Sequence, residues 1–420
     1  MNKYQNKKVK TLILENNRGI TPKYIEHGGI TVLNQKCIRD NKILFEYSRK
    51  HDINKNNINP KKFLKKFDVL INSTGVGTLG RVAQLKRVEE PITYDSHISL
   101  LRPDPTKINL EYFGYAIGFK QNEIELLGEG STGQTELKRE LLTEIEIPVP
   151  PIQIQKKIVE ILSSLDDKIE LNRQMNQTLE AMARAIFKSW FVDFDPVYAK
   201  IEGRDYPLPP EIMELFPDEL EESELGLIPK GWRVGELGEY VKVNNSTIGK
   251  DFQYDEINYI DISSVQEGEI ISSQTIDKKS APSRAKRIIN HGDIIWSCVR
   301  PNRRSFALVL MPSKNTIVST GFAVITPMDL PYTFVYSIVS RNEFSDYLTI
   351  NATGSAYPAV KPQIFEIYKF VFPDEKISLS YHAVIVDVFQ KIKNNFDQIE
   401  TLASTRDLIL PKIINGEFEV

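Results

Sequence analysis

A chain of 420 residues with 41% hydrophobic and 26% charged residues has room for two ordinary domains plus connecting elements, and its composition argues against disorder. Its net charge of −3 gives no global attraction to nucleic acid, so DNA contact would need local patches or positive surface borrowed from a partner. Met1–Lys10 is polar and basic with no apolar run behind it, unlike a signal peptide, and no stretch approaches the roughly 18 apolar residues of a membrane helix. A cytoplasmic protein without membrane contact is expected. Cys37 and Cys298 are too far apart for a metal motif or a disulfide framework and are expected to be plain buried residues.

In chain order, Thr31-Val-Leu-Asn-Gln alternates like a strand. It ends at Asn34 and Gln35, whose amides can read adenine, and Lys36 and Arg39 follow. Phe67-Asp-Val-Leu-Ile-Asn-Ser is a polar turn feeding a short buried strand. Gly75-Val-Gly-Thr-Leu-Gly then matches the dinucleotide fingerprint, which needs a helix next to bind pyrophosphate. Arg81-Val-Ala-Gln-Leu-Lys-Arg-Val instead alternates like a strand. A tight turn is therefore expected, where glycine lets backbone approach phosphate. Ser131-Thr-Gly-Gln-Thr marks another turn, and Ile147-Pro-Val-Pro hands over to a segment without Gly or Pro, Ile152 to Phe194.

A four–three spacing in that segment selects Ile158, Leu162, Leu165, Ile169, Asn172, Asn176, Leu179, Ala183 and Ile186, the apolar seam of a coiled coil. Seven acidic residues between Glu211 and Glu224 and five prolines between Pro196 and Pro217 then suggest an extended, solvated connector. Beyond it the first half repeats. Tyr259-Ile-Asp-Ile-Ser is strand-like, Gly292-Asp-Ile-Ile-Trp-Ser-Cys matches the segment at Phe67, and Ala352-Thr-Gly-Ser-Ala matches the turn at Ser131. Phe370-Val-Phe-Pro feeds a second segment, Lys376 to Leu410, before Pro411. The same spacing there selects Tyr381, Ile385, Val388, Ile392, Asn395, Ile399, Leu402, Arg406 and Ile409, each 223 residues after its counterpart. One register shared across so large a gap favours mutual pairing of the two helices, with Asn172 and Asn395 as polar residues that fix alignment.

The run Ile147-Pro-Val-Pro-Pro-Ile-Gln-Ile-Gln-Lys-Lys-Ile-Val-Glu-Ile-Leu-Ser-Ser-Leu-Asp-Asp-Lys-Ile-Glu resembles the central segment of type I restriction–modification specificity subunits. So do Ala185-Ile-Phe-Lys-Ser-Trp-Phe-Val-Asp-Phe-Asp-Pro, Leu227-Ile-Pro-Lys-Gly-Trp and Leu410-Pro-Lys-Ile-Ile-Asn-Gly-Glu. The resemblance covers nearly the whole chain. It implies an α+β protein with two mixed target recognition domains, joined by a long antiparallel two-helix coiled coil with pseudo-two-fold symmetry. The expected boundaries are 1–150 and 229–374 for the recognition domains, 151–195 and 375–420 for the helices with the C-terminal tail, and 196–228 for the acidic linker. Each domain of such a subunit reads half of a split double-stranded DNA target. Two modification subunits, which bind S-adenosylmethionine and methylate adenine, and ATP-driven restriction subunits are the implied partners. About 40 helical residues span roughly 60 Å, enough to hold two reading heads about one DNA turn, near 34 Å, apart. The first module lacks a Pro-Lys-Gly-Trp equivalent, which leaves its start open.

Chemistry by the chain itself finds no support in its motifs. Pro209-Pro210 runs into Glu211 rather than the aromatic of an adenine methylase motif, and no phosphate-binding P-loop occurs. The five histidines, His27, His51, His97, His291 and His382, lack metal-ligand spacing. His382 is expected on the surface beside the seam. No cofactor is expected on this chain. Candidate DNA contacts are Arg300, Arg303 and Arg304 in the loop after the Gly292 strand, Arg81 in the matching loop, and Lys36 and Arg39. Gln134 and Thr135, with Ser355 and Tyr357, follow the paired Thr-Gly turns. A protein-binding adaptor is the competing class, and a neighbouring gene with an adenine-methyltransferase motif would decide against it.

Overall fold

The computed structural model describes residues 3–55, 57–128, 135–249 and 252–418. It divides into two compact units, Met1–Glu170 with Ile399–Val420, and Leu171–Gln398. Each long helix therefore contributes to both.

In the first unit, Ile98–Pro103 lies between Ile13–Arg18 and Val69–Asn72, and Val82–Gln84 completes an antiparallel four-stranded sheet. A second sheet pairs Ile30–Leu33 in parallel with Ile92–Tyr94 and antiparallel with Arg49–His51. All four residues of Val69–Asn72 are buried. The alternation of a strand explains how: Val69 and Ile71 enter one core with Tyr112, Phe113 and Ile158, while Leu70 enters another with Leu33, Cys37 and Tyr94. A short apolar run can thus serve two cores at once.

The second unit repeats the plan. Phe322–Pro327 lies between Val241–Val243 and Ile294–Ser297, which pairs with Phe306–Leu308. Glu256–Ile260 runs parallel to Thr316–Ser319 and antiparallel to Gln274–Asp277. Trp296 and Ile294 face one core and Ile295 another. The strand Arg233–Glu236 pairs with Lys369–Phe372 just before the second long helix. Its counterpart in the first unit is Asn6–Lys8 paired with Glu146–Pro148. Backbone pairing thus fills in the first module the place that the missing Pro-Lys-Gly-Trp left open.

The long helices span Ile152–Phe191 and Glu375–Ile414, 40 residues each. Within the first unit, Arg406 Nη1 meets Asp166 Oδ1 at 2.8 Å and Ile158 shares a core with Ile413. Within the second, Asn172 Nδ2 donates to Gln398 Oε1 at 3.1 Å, and Asn395 Nδ2 to Asn176 Oδ1 at 2.7 Å. One number falls as the other rises, so the pairing is antiparallel. Along the seam, Ile158, Leu162, Ile169, Asn172, Asn176, Ala183, Tyr381, Ile385, Ile392, Asn395 and Ile399 are buried. Leu165, Leu179, Ile186, Val388, Leu402, Arg406 and Ile409 are half-buried. Asn172 and Asn395 occupy equivalent repeat positions but do not meet, because antiparallel packing sets Asn395 against Asn176 instead.

Replacing Asn395 by Ala is expected to cost about 1–3 kcal/mol, because it strips a buried amide of its partner. Changing Asn176 and Asn395 together to Leu should recover most of that loss. Urea midpoints of the three proteins check both statements.

Two expectations need correction. The segment 196–228 is not an extended connector. It forms the helices Asp195–Glu202 and Pro210–Met213 and a hairpin of Leu220–Ser223 with Gly226–Pro229. Pro196 and Pro210 sit in first turns, where the missing N–H costs nothing. Phe216 is buried with its ring 5.4 Å from that of Trp190 and 6.3 Å from that of Trp232, while the seven acids stay exposed. Nor does Pro411 end the second helix. Burial of Ile413 and Ile414 offsets the loss of one helical hydrogen bond near the terminus.

Candidate nucleic-acid interface

In the second unit, the hairpin made by Ile294–Ser297 and Phe306–Leu308 carries the Arg300–Arg304 loop. Its turn, Pro301–Arg303, is flanked by Arg300 (φ 51°) and Arg304 (φ 54°), both in the left-handed region that non-glycine residues seldom enter. The segment 353–360 returns beside it. Val299 bridges Ala359, Arg300 N donates to Pro358 O at 2.7 Å, and Val360 N donates to Cys298 O at 2.9 Å. This brings together two candidates far apart in sequence: the Arg300 guanidinium lies over the Tyr357 ring, 4.7 Å from its centroid. Tyr357 is 71% exposed, and Arg303, Ser355 and Asn302 are exposed nearby. A guanidinium held over an open aromatic ring is pre-set to offer its remaining donors to a base edge or a phosphate. Asn302 had no signal beyond its place in the loop.

Arg304 is different. Its guanidinium donates to Ser340 O at 2.6 Å and Arg341 O at 3.2 Å and pairs with Glu267 at 2.9 Å, leaving its side chain 16% exposed. It faces inward, satisfied by the protein.

The first unit has the matching frame. Thr74 bridges Glu136 and Leu137 N donates to Ser73 O at 2.8 Å, the counterparts of the Val299–Ala359 bridge and the Val360–Cys298 bond. The glycine loop joins two strands of a hairpin, Val69–Asn72 and Val82–Gln84, and no helix follows. Gly75 has φ 104°, and a Cβ there would fall 2.3 Å from Thr78 Oγ1. The loop is therefore a tight turn, as its alternating continuation implied. Val76 at its tip is 87% exposed, and sequence reasoning passed over it. Arg81 is half-buried and donates to Gly77 O at 2.8 Å.

Lys36 and Arg39 are exposed on the neighbouring turn, which Asn72 ties down by donating to Gln35 O at 2.9 Å. Asn34, a candidate reader of adenine, instead caps this turn: it accepts from Lys36 N at 2.8 Å and donates to Tyr47 O at 2.6 Å. Thr135 is half-buried beside the bridge, and Gln134 lies outside the described residues.

Sequence reasoning also passed over Lys61, Lys65 and Lys66, which are exposed. The run Lys61-Lys-Phe-Leu-Lys-Lys was the signal available. Lys62 in that run donates to Arg18 O, and Arg18 in turn pairs with Glu136 at 2.7 Å. The basic run is thereby tied to the Thr74–Glu136 bridge.

Among the described residues, no group of three or more His, Cys, Asp or Glu could hold a metal, and no helix is long and apolar enough to cross a membrane. Cys37 and Cys298 are free and buried, and burial pushes both thiols up to about 11. His382, expected at the surface, is half-buried: its Nδ1 lies 3.0 Å from Thr333 Oγ1 and its ring packs against Tyr332. Burial lowers its pKa.

The profile of the type I restriction modification DNA specificity domain matches residues 3–181. The type I restriction enzyme HindI specificity subunit of Haemophilus influenzae is 26% identical, over 85% of this chain and 88% of its own. The MjaIX specificity subunit of Methanocaldococcus jannaschii is 28% identical, over 83% and 77%. The S subunit of the type I restriction-modification system of M. genitalium has a similar fold, with a TM-score of 0.56 at 16% identity over 98% of this chain and 97% of that one. In its twice-built sheet plan, its two paired 40-residue helices and the relatives it matches, the chain is similar to the specificity subunits of type I restriction–modification enzymes.

Proposed function

We propose that this chain reads a split double-stranded DNA target and directs adenine methylation and restriction by partner subunits, without catalysing either reaction. The supporting observation is the twice-built loop frame, in which the Thr74–Glu136 and Val299–Ala359 bridges each set a loop beside a returning segment. One frame offers Lys36, Arg39, Arg81 and Thr135, and the other Arg300, Arg303 and Tyr357. The reading domains are residues 1–150 and 229–374, and each reads one half-site. S-adenosylmethionine and ATP bind to the partners: two modification subunits and the restriction subunits. Leu171 and Met182 on the first long helix, and Leu379 and Leu408 on the second, are exposed and suit such docking.

Methylome sequencing of cells with and without this gene tests the reading. An interrupted adenine motif should vanish on deletion, and an unchanged methylome would refute the proposal. Within that motif, Arg300→Ala should weaken binding by about 1–3 kcal/mol and relax one position of a single half-site. Changes at Lys36 and Arg39 should alter only the other half. A substitution that altered both halves equally would rule out independent reading heads.

A further inference from the structure

Resting on that reading, we infer that Arg304 and Glu267 are positioning residues for the second reading loop, which they fasten to the first long helix. The loop Arg300–Arg304 has a left-handed, non-glycine residue at each end, a conformation that persists only where its surroundings over-determine it. At the Arg300 end the hold is the backbone bond to Pro358. At the other end it is the Arg304 side chain, bound to two carbonyls just past the C-terminus of the helix Tyr332–Val339, where a cation is favoured. Glu267 completes the hold. It sits between the short strands Val265–Gln266 and Glu269–Ile270, and its backbone bridges Phe306, the first residue after the loop to re-enter the sheet. Its Oε1 lies 2.9 Å from Arg304 Nη2 and 3.8 Å from Arg184 Nη1 on the long helix.

Arg184, Glu267 and Arg304 thus form a continuous chain of charge from helix to loop. Arg300 and Arg303, at the loop's open side, can aim at DNA only while this base is held. Arg304 itself spends three of its five donors inward and keeps its side chain 16% exposed, which leaves it badly placed for such a role. Its guanidinium already serves two carbonyls and a carboxylate.

The sign of the effect at Glu267 separates positioning from direct contact. Removing an acid near a DNA-binding loop strengthens binding if only long-range electrostatics matter. If Glu267 holds the loop, Glu267→Gln must weaken it. Likewise Arg304→Lys keeps the positive charge for a phosphate but loses the planar fork that spans three acceptors.

The test uses the full chain assembled with its modification subunit, on the target found by methylome sequencing. Half-site preference and the dependence of affinity on salt are measured for Glu267→Gln, Glu267→Asp and Arg304→Lys. Glu267→Gln and Arg304→Lys should each lower affinity for the intact target about tenfold, an amount equal to one good base contact. The loss should be confined to second-half-site preference, with an unchanged salt slope. Glu267→Asp should fall between them and the parent. Normal reading of the first half-site and an unshifted tryptophan-fluorescence melt serve as the folding control in each protein. Tighter or equal binding by Glu267→Gln overturns the inference, as does full affinity in Arg304→Lys or a salt slope lowered by about one phosphate contact. If Glu267→Gln does not fold, the milder Glu267→Asp decides by the same criteria. Arg300→Ala without effect on the second half-site would instead defeat the reading-loop assignment itself, so the two failures are distinguishable.

Discussion

Asp68→Ala should be among the most damaging single substitutions in the first unit, costing about 3–5 kcal/mol. Asp68 is 1% exposed, and Arg102 donates to both of its oxygens, at 2.8 and 2.7 Å. Arg102 is itself buried, with further contacts to Glu15 at 3.0 Å and to Phe63 O at 2.9 Å. Burial raises the Asp68 carboxyl and Arg102 pulls it back. Removing the carboxylate would leave a buried guanidinium with only the partly exposed Glu15 and the Phe63 carbonyl as partners.

The repeat supplies a control. Asp293 occupies the equivalent turn: it accepts from Asn290 N at 2.7 Å as Asp68 accepts from Lys65 N at 2.7 Å. The residue facing it on the neighbouring strand is Thr326 rather than arginine. Asp293→Ala leaves no cation behind and should cost only about 1–3 kcal/mol. Hydrogen exchange along Val69–Asn72 and along Ile294–Ser297 measures each loss in its own unit. Equal losses would show that the buried ion pair adds nothing beyond the turn.

The helices and cores were legible because their signals are local. A four–three apolar spacing and a repeat of 223 residues point to paired helices, and short apolar strands such as Val69–Ile71 announce buried sheet. Direction was not legible from spacing, since a seam of Ile and Leu reads alike from either end; the Asn176–Asn395 and Asp166–Arg406 contacts decide it. The connector was misread because its acids and prolines drew the reading away from the apolar residues set among them. Yet Val197, Ile212 and Phe216 were present, and the core they join includes Trp190 and Trp232, which lie outside the segment.

Among the candidate contacts, sequence found the loops better than the side chains. Arg303 and Arg304 are neighbours with the same charge, but one is exposed and the other is spent on carbonyls 36 and 37 residues away. Nothing in the run Arg-Pro-Asn-Arg-Arg-Ser distinguishes them. The placement of the Arg300 cation over the Tyr357 ring was equally hidden, because it depends on the bridge between Val299 and Ala359.

Glu180→Gln should stabilise the second unit at pH 8 by on the order of 2 kcal/mol and leave it nearly unchanged at pH 4. Glu180 lies on the first long helix with its side chain 21% exposed. Burial pushes its carboxyl up to about 7, Glu267 and Glu269 push the same way, and Arg184, 3.9 Å away, opposes them. Tyr336 and, beyond it, Arg304 complete the charged and titratable surroundings. In the unfolded chain the group ionises near the ordinary glutamate value of about 4.3. Between that value and about 7 the native state holds a proton that the unfolded state has released, so stability falls as pH rises through this window. Above it the full cost of a buried carboxylate is present, and glutamine, which never ionises, escapes it.

The three tryptophans, Trp190, Trp232 and Trp296, all lie within Leu171–Gln398, so their fluorescence reports on this unit alone. Melting both proteins at pH 4 and pH 8 should show a gap that opens only at the higher pH. A gap of the same size at both would mean that Glu180 is ionised throughout, its burial fully compensated by Arg184.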